Sequence, residues 1–145
     1  MRNSIAWILV VISGLPGPAS AKDQSAVAYV ESIYADRESP GGPARYSWRT
    51  DALWAECEKR ERETGDACVD FSMIAQGNDA EISDVKIMQQ SGDAKRAVVI
   101  ANFRNHHDPE TVTYTLIHDK RGWAIDEMTS GCNVLTTILK GLSKC

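Results

Sequence analysis

Alternating apolar and polar residues in the second half of the chain, from Asp84 to Met128, constrain its fold more than any other feature. Val112, Tyr114 and Leu116 share one strand parity, which is the pattern that a half-buried antiparallel sheet needs to cover a core. Short polar turns separate the runs and favour a meander of neighbouring strands. The predicted strands are Ile82–Gln90, Arg96–Arg104, Thr111–His118 and Gly122–Met128.

Helical patterns precede and follow this predicted sheet. An apolar stripe at helical spacing predicts a first helix over Asp23–Asp36, with Asp23 as its N-cap. Thr50 or Asp51 is expected to cap a second helix, and Thr136–Leu142 has the pattern of a short closing helix. The sequence therefore predicts an α+β domain in which N-terminal helices pack on a four-stranded antiparallel sheet.

The first residues have the composition of a secretory signal peptide. Arg2 supplies a positive charge, an apolar run covers Ile5–Leu15, and Ala19-Ser20-Ala21 has the small residues that a signal peptidase recognises. The run is shorter than the roughly 20 apolar residues that span a bilayer. We therefore expect a signal peptide at 1–21 and a single domain at 22–145, periplasmic or secreted and without membrane contact after cleavage. An uncleaved anchor is the alternative.

The charge balance of the chain limits its partners. The sequence has 16 basic and 20 acidic residues and a formal net charge of −4. Nucleic acids and anionic membranes bind concentrated Lys and Arg, so both are excluded as partners. Charges of both signs are interleaved between Glu56 and Glu63 of the second helix, which is typical of a solvated helix face.

Cysteine usage agrees with export. The number of cysteines is even, and in an oxidising compartment four cysteines indicate two disulfides. Three connectivities are open, and we favour Cys57 with Cys68 and Cys132 with Cys145, because each pair closes a short local excursion. The spacing lacks the paired ligands of a zinc site.

Asp126 is the one candidate for catalysis. It has the opposite strand parity from Trp123 and Ile125 and the same parity as Met128. An isomerase-like or cyclase-like enzyme needs a buried carboxylate base in an apolar pocket, opposite a hydrogen-bond donor such as Tyr34. A solvent position on an edge strand explains the same parity, so a structural role is the alternative.

Aromatic residues mark the predicted binding surfaces. Trp48 and Trp54 are six residues apart and so lie on different faces of the second helix, beside Arg45 and Arg49. Aromatic and arginine side chains are the usual anchors of protein interfaces. The alternative places Trp54 in the core and Trp48 over the end of the helix. The residues predicted to bind a partner or ligand are Tyr34, Tyr46, Trp48, Trp54 and Tyr114.

Three polar residues, His106-His107-Asp108, stand where a hairpin turn is expected. Adjacent histidines can converge in a turn, so weak metal binding at the surface is an alternative to a plain polar turn. The sequence contains no phosphate-binding glycine loop and no Gly-x-Ser-x-Gly elbow. We therefore predict no cofactor and no metal.

Helices followed by four meandering strands that end in Gly122-Trp123-Ala124-Ile125-Asp126-Glu127 resemble the exported bacterial proteins grouped as domain of unknown function 3828. Tyr29 and Tyr34, Trp54, and Asp70-Phe71 with Asp79 carry the rest of the likeness. The resemblance implies the cystatin-like roll of the nuclear-transport-factor-2 superfamily, a curved sheet around helices with a concave mouth. It implies no agreed activity, since fold does not settle function.

Two hypotheses on function follow. The first is an exported, non-enzymatic binding or accessory protein, of an inhibitor or immunity type, which uses the concave mouth or the surface from Tyr46 to Trp54. The alternative is a small-molecule-binding protein or isomerase-like enzyme that uses the pocket of the roll. The expected partner is a periplasmic protein or a small apolar ligand, and Val98 with Ile100 would mediate a homodimer.

Overall fold

The computed structural model of the protein describes residues 24–142. The predicted signal peptide at 1–21 therefore lies outside the described residues, as does Cys145. Helices and an antiparallel sheet form an α+β fold, as predicted. The elements in chain order are α1 (Ala26–Ile33), α2 (Trp48–Thr64), β1 (Ile82–Gly92), β2 (Arg96–Asn105), β3 (Asp108–Asp119), β4 (Gly122–Ser130), β5 (Asn133–Val134) and α3 (Leu135–Leu139).

The sheet has five strands in the order β1-β2-β3-β4-β5, so the prediction of four strands is wrong. The predicted strands all form, with ends within a few residues of the expected positions. The fifth forms because the chain turns at Gly131, whose φ of 55° lies in the left-handed region that favours glycine. Asn133 and Val134 then pair with the last two residues of β4, Ser130 and Thr129.

The inner face of the sheet holds the core. Residues on neighbouring strands stand opposite one another there, as Val99 does with Tyr114 and Ala97 with Leu116, and all four are buried. The predicted apolar parity of β3 is therefore confirmed. The three helices contact this sheet or one another around the same core. Within the described residues, no helix is long and apolar enough to cross a membrane.

A β-bulge at Asp126 changes the parity of β4. Thr115 pairs with Glu127 and Leu116 with Ile125, which leaves Asp126 as the extra residue of its strand. Met128 consequently pairs with Tyr114 and is fully buried. The prediction that Asp126 and Met128 share a face opposite Ile125 is therefore wrong, because the bulge turns Met128 inward.

The first helix begins and ends differently from the prediction. Ser25, not Asp23, is the N-cap, and its hydroxyl accepts a hydrogen bond from the Ala28 N–H at 3.1 Å. The helix ends at Ile33, well before the predicted Asp36. The Asp36 carboxylate instead accepts hydrogen bonds from the two backbone N–H groups of Glu38 and Ser39, a local turn that stops the helix.

Ser47 caps α2, so the prediction of Thr50 or Asp51 as its cap is wrong. The reason lies in the sheet. Ser47 donates its backbone N–H to the Ile125 carbonyl at 2.8 Å, and the Ile125 N–H donates to the Arg45 carbonyl at 2.7 Å. These bonds hold residues 45–47 as an extended strap along the edge of β4, and the helix begins directly after it. It ends at Thr64, and its C-cap is Gly65, which has a φ of 81°.

The N-terminus of the closing helix, α3, is capped by a side chain from strand β4. Val134, the N-cap residue of α3, offers no side-chain hydrogen bond. The Glu127 carboxylate accepts hydrogen bonds from the backbone N–H of Thr136, at 3.0 Å, and from its hydroxyl. A carboxylate at this end also complements the helix dipole. The predicted helix at Thr136–Leu142 is therefore present but shorter, at Leu135–Leu139.

Candidate functional site

A groove of about 340 Å³ runs between α2 and the irregular segment 66–77 that follows it. We call it the aromatic groove, because three aromatic rings contribute to its walls. It is half open to solvent. Its lining residues are Tyr46, Trp54, Glu58, Glu61, Cys68, Val69, Phe71, Ser72, Met73 and Ile74.

One wall of the aromatic groove belongs to α2. Trp54, Glu58 and Glu61 follow one another at spacings of four and three residues, which places their side chains along one face of the helix. Tyr46 joins them from the strap beside β4, and its ring centroid lies 5.8 Å from that of Trp54 at an interplanar angle of 50°. The sheet edge and the helix therefore jointly position this aromatic pair.

A disulfide holds the opposite wall in place. Cys57 of α2 is bonded to Cys68, with their Cα atoms 5.4 Å apart, so the predicted pairing of these two cysteines is present. The Cys68 N–H also donates to Glu61 Oε2 at 3.2 Å. Cys132 is disulfide-bonded as well, while its predicted partner Cys145 lies outside the described residues. The segment 66–77 is thus tied to the helix at the groove.

The aromatic groove is electronegative. Among the described residues, its lining includes two carboxylates and no basic side chain. Glu58 has only a loose contact with the exposed Arg62, at 3.9 Å. The indole N–H of Trp54 is buried and finds no hydrogen-bond partner in the described part of the chain. Burial raises the pKa of Tyr46, and the nearby Tyr29 and Asp51 raise it further, so its phenol stays neutral.

The predicted binding residues Tyr34 and Tyr114 lie in the core, not at this groove. Both are fully buried, and their hydroxyl oxygens are 2.8 Å apart. Tyr34 donates to the carbonyl of Ile74 at 3.0 Å. Because Tyr34 has a single hydroxyl proton, Tyr114 must donate to Tyr34. Burial is the largest of the causes that raise the pKa of each phenol. This chain of hydrogen bonds ends at Ile74, which lines the aromatic groove.

Asp126 lies at the bulge, and three residues donate hydrogen bonds to its carboxylate. Its carboxylate accepts from the Ser47 hydroxyl at 2.8 Å, from Arg49 Nη2 at 3.1 Å and from Arg96 Nη2 at 3.2 Å. Burial raises its pKa, but the hydrogen bonds from Arg49 and Ser47, together with the positive charges of Arg49 and Arg96, outweigh burial, and the pKa is lowered. A general base at neutral pH needs the opposite shift. The arrangement favours a structural role, which is to join the start of α2 to β4.

Trp48, a predicted binding residue, and Arg45, which precedes the predicted surface in sequence, have different environments. Trp48 is 78% exposed at the first position of α2 and is not part of the aromatic groove. Arg45 is partly buried and forms a bidentate pair with Asp119, at 2.9 and 3.0 Å, and also donates to the Gly122 carbonyl. Arg45 thus fixes the strap to the β3–β4 turn.

The histidine turn and the outer sheet face complete the set of predicted sites. His106 has a φ of 54°, and its Nδ1 lies 2.9 Å from Glu81 Oε2. The described part of the chain contains no group of three or more His, Cys, Asp or Glu placed to hold a metal ion. Val98 and Ile100 are half-buried on the outer face. Dimerisation through that face stays a prediction.

Sequence reasoning missed the two glutamates of the groove. The sequence predicts that this part of α2 is a solvated face, because it contains interleaved charges of both signs. The spacing of Trp54, Glu58 and Glu61 on one helical face was the available signal. The neighbouring Cys57 would have indicated that a second segment covers this face. No protein-family model, no curated protein and no solved structure matches the chain.

Proposed function

We propose that this protein is an exported, non-enzymatic binding protein that recognises a protein partner through the aromatic groove. One observation carries the proposal: Tyr46, Trp54 and Phe71 line a surface groove whose two walls are joined by a disulfide. Tyr and Trp side chains in such a setting are the anchors of protein interfaces. A rigid groove with aromatic anchors is the kind of site expected in an accessory protein of an inhibitor or immunity type.

The filled interior supports a binding protein over an isomerase-like or cyclase-like enzyme. The enzyme hypothesis needs an apolar pocket inside the fold with an available base. Tyr34, Tyr114, Leu116 and Met128 are fully buried side chains that occupy the space between helices and sheet. Asp126, the only candidate for the base, is engaged by Ser47 and two arginines.

We further propose that the fold is the cystatin-like roll, and that the chain belongs to the domain of unknown function 3828 family. The order of elements, with two helices before an antiparallel meander, supports this assignment. The bulges in β1 and β4 also support it, because bulges increase the twist and bend of a strand. Such bending is what a sheet wrapped around helices requires.

Export to the periplasm is part of the proposal. The disulfide between Cys57 and Cys68 is typical of an oxidising compartment. The leader-like composition of the first residues points the same way. A disulfide that fixes the wall of the aromatic groove would then form only after export, so the binding site would mature in the compartment of its partner.

Native mass spectrometry of the protein purified without refolding from the periplasm of its own host tests the proposal. We expect a co-purifying protein of fixed stoichiometry. Trp54→Leu should lose this partner, whereas the matched control Trp48→Leu, at an exposed site outside the groove, should retain it. Circular dichroism would establish that both variants fold. Retention of the partner by Trp54→Leu, or a small bound organic mass in place of a protein, would refute the proposal.

A further inference from the structure

We infer that the aromatic groove binds an arginine side chain presented by a basic partner protein. This inference rests on the proposed binding function and names the chemistry of its ligand. It follows from the charge of the groove lining, from its aromatic rings and from its open shape.

The charge of the lining favours a cation. Glu58 and Glu61 contribute two carboxylates to one groove. The nearby arginines of α2 do not neutralise them closely. Arg60 donates to the carbonyl of Leu139, on the side of the helix that faces α3, and Arg62 is 3.9 Å from Glu58 in an exposed contact. Two carboxylates without a close counter-ion attract a positively charged group.

The aromatic rings favour a cation with a planar, weakly hydrated head. Tyr46 and Trp54 form a tilted pair, and Phe71 contributes a third ring to the lining. Aromatic faces attract cations, Trp most strongly, and arginine takes this role more often than lysine. A guanidinium group also has several N–H donors in a rigid fork, which suits binding to carboxylates beside aromatic rings. Its apolar stem would cover Val69 and Met73.

The shape of the groove favours a side chain over a free small molecule. Sites for small molecules bury most of the surface of their ligand and range from about 300 to 1,000 Å³. A half-open groove of about 340 Å³ lies near the lower limit of that range. A single long side chain that projects from a partner surface fits it better. The net charge of −4 would in addition steer a basic protein towards this chain.

The experiment uses the folded, disulfide-bonded protein labelled with ¹⁵N and follows the indole N–H signal of Trp54. The probes are two blocked tripeptides, Ac-Gly-Arg-Gly-NH₂ and its neutral counterpart with citrulline in place of arginine. We expect the arginine peptide to shift the Trp54 signal with saturation in the millimolar range. The citrulline peptide, which keeps the shape and loses the charge, should bind at least tenfold more weakly.

Two double variants complete the test. Glu58→Gln with Glu61→Gln removes both charges but leaves an acceptor oxygen for the Cys68 N–H, so the groove wall is retained. It should weaken binding of the arginine peptide at least tenfold. Glu56→Gln with Glu63→Gln removes the same charge from exposed positions of α2 outside the groove lining. This control should bind the arginine peptide as the unaltered protein does.

The outcomes separate this inference from the proposed function. Equal binding of the arginine and citrulline peptides, or equal weakening by the two double variants, would overturn the cation inference. The groove would then still stand as a binding site if Trp54→Leu loses the native partner. Absence of any shift at Trp54 with the arginine peptide would also overturn the inference. If Trp54→Leu in addition retained the native partner, the proposed function would fail as well.

Discussion

The hydroxyls of Tyr34 and Tyr114 lie 2.8 Å apart in the core, and the Tyr34 hydroxyl donates a hydrogen bond to the Ile74 carbonyl. The two tyrosines are therefore not equivalent. Tyr34 has a partner on each side, whereas Tyr114 is the donor at the start of the chain.

This asymmetry predicts unequal effects of two matched substitutions. Tyr34→Phe leaves both the Ile74 carbonyl and the Tyr114 hydroxyl without their partner and should lower the free energy of unfolding by about 2–3 kcal/mol. Tyr114→Phe removes only a donor to Tyr34 and should lower it by about 1 kcal/mol. Urea denaturation of both variants would measure the difference. An equal or reversed order would contradict this direction of donation.

Stability should fall at acid pH because of Asp119. Hydrogen bonds from Arg45 are the largest cause that lowers the pKa of Asp119, from 3.8 to about 2. A group with a depressed pKa in the folded state stabilises the protein above its unfolded pKa and loses that contribution as the pH falls through the folded pKa. The contribution should therefore disappear between about pH 4 and pH 2.

The variant Asp119→Asn isolates this contribution. It should be less stable than the unaltered protein at pH 6, and the difference should shrink towards pH 2. Urea midpoints measured at intervals of pH would follow it. A difference that stays constant over this range would show that the pair with Arg45 does not titrate as expected.

Replacement of Asp126 discriminates between structure and catalysis. Asp126→Ala removes the carboxylate that accepts from the Ser47 hydroxyl and from two arginines, and should cost about 1–3 kcal/mol of unfolding free energy. The loss stays moderate because the Arg49 and Arg96 side chains are 44% and 64% exposed. Binding of the native partner should persist in native mass spectrometry. Loss of the partner in a folded Asp126→Ala variant would place Asp126 in the binding site.

The disulfide between Cys57 and Cys68 should support both stability and binding. Peptide maps under non-reducing conditions should contain this pair, since the two residues are bonded. Replacing both cysteines with alanine should lower the free energy of unfolding by about 2–4 kcal/mol. It should also weaken the response of the Trp54 signal to Ac-Gly-Arg-Gly-NH₂, because one wall of the groove loses its tether. An unchanged response would show that the segment 66–77 is held without the disulfide.

The strands of the sheet could be predicted because alternation is a local property of the sequence. β1 to β4 each repeat it over several residues. β5, with only Asn133 and Val134, is too short to have a period. The bulge at Asp126 escaped prediction for a related reason: parity counted along one strand does not reveal an extra residue, which is defined only by the partner strand.

The helix caps and the aromatic groove depend on tertiary contacts, so the sequence pattern does not predict them. Ser47 starts α2 because the strap before it pairs with β4, and Glu127 caps α3 from a neighbouring strand. Neither contact follows from local composition. Tyr46 and Trp54 were predicted as binding residues from their type alone. The carboxylates beside them become part of a site only when the segment 66–77 folds over α2.

The strap at residues 45–47 also protects the sheet against edge-to-edge pairing with another copy of the chain. β4 would otherwise present free backbone N–H and C=O groups, but the strap and β5 occupy its outer side. Within the described residues this leaves β1 as the exposed edge of the sheet, and its register shifts after Ser83 and after Gln89. An edge broken at two points is a poor template for another strand. The sheet is therefore protected against strand addition and aggregation at both margins.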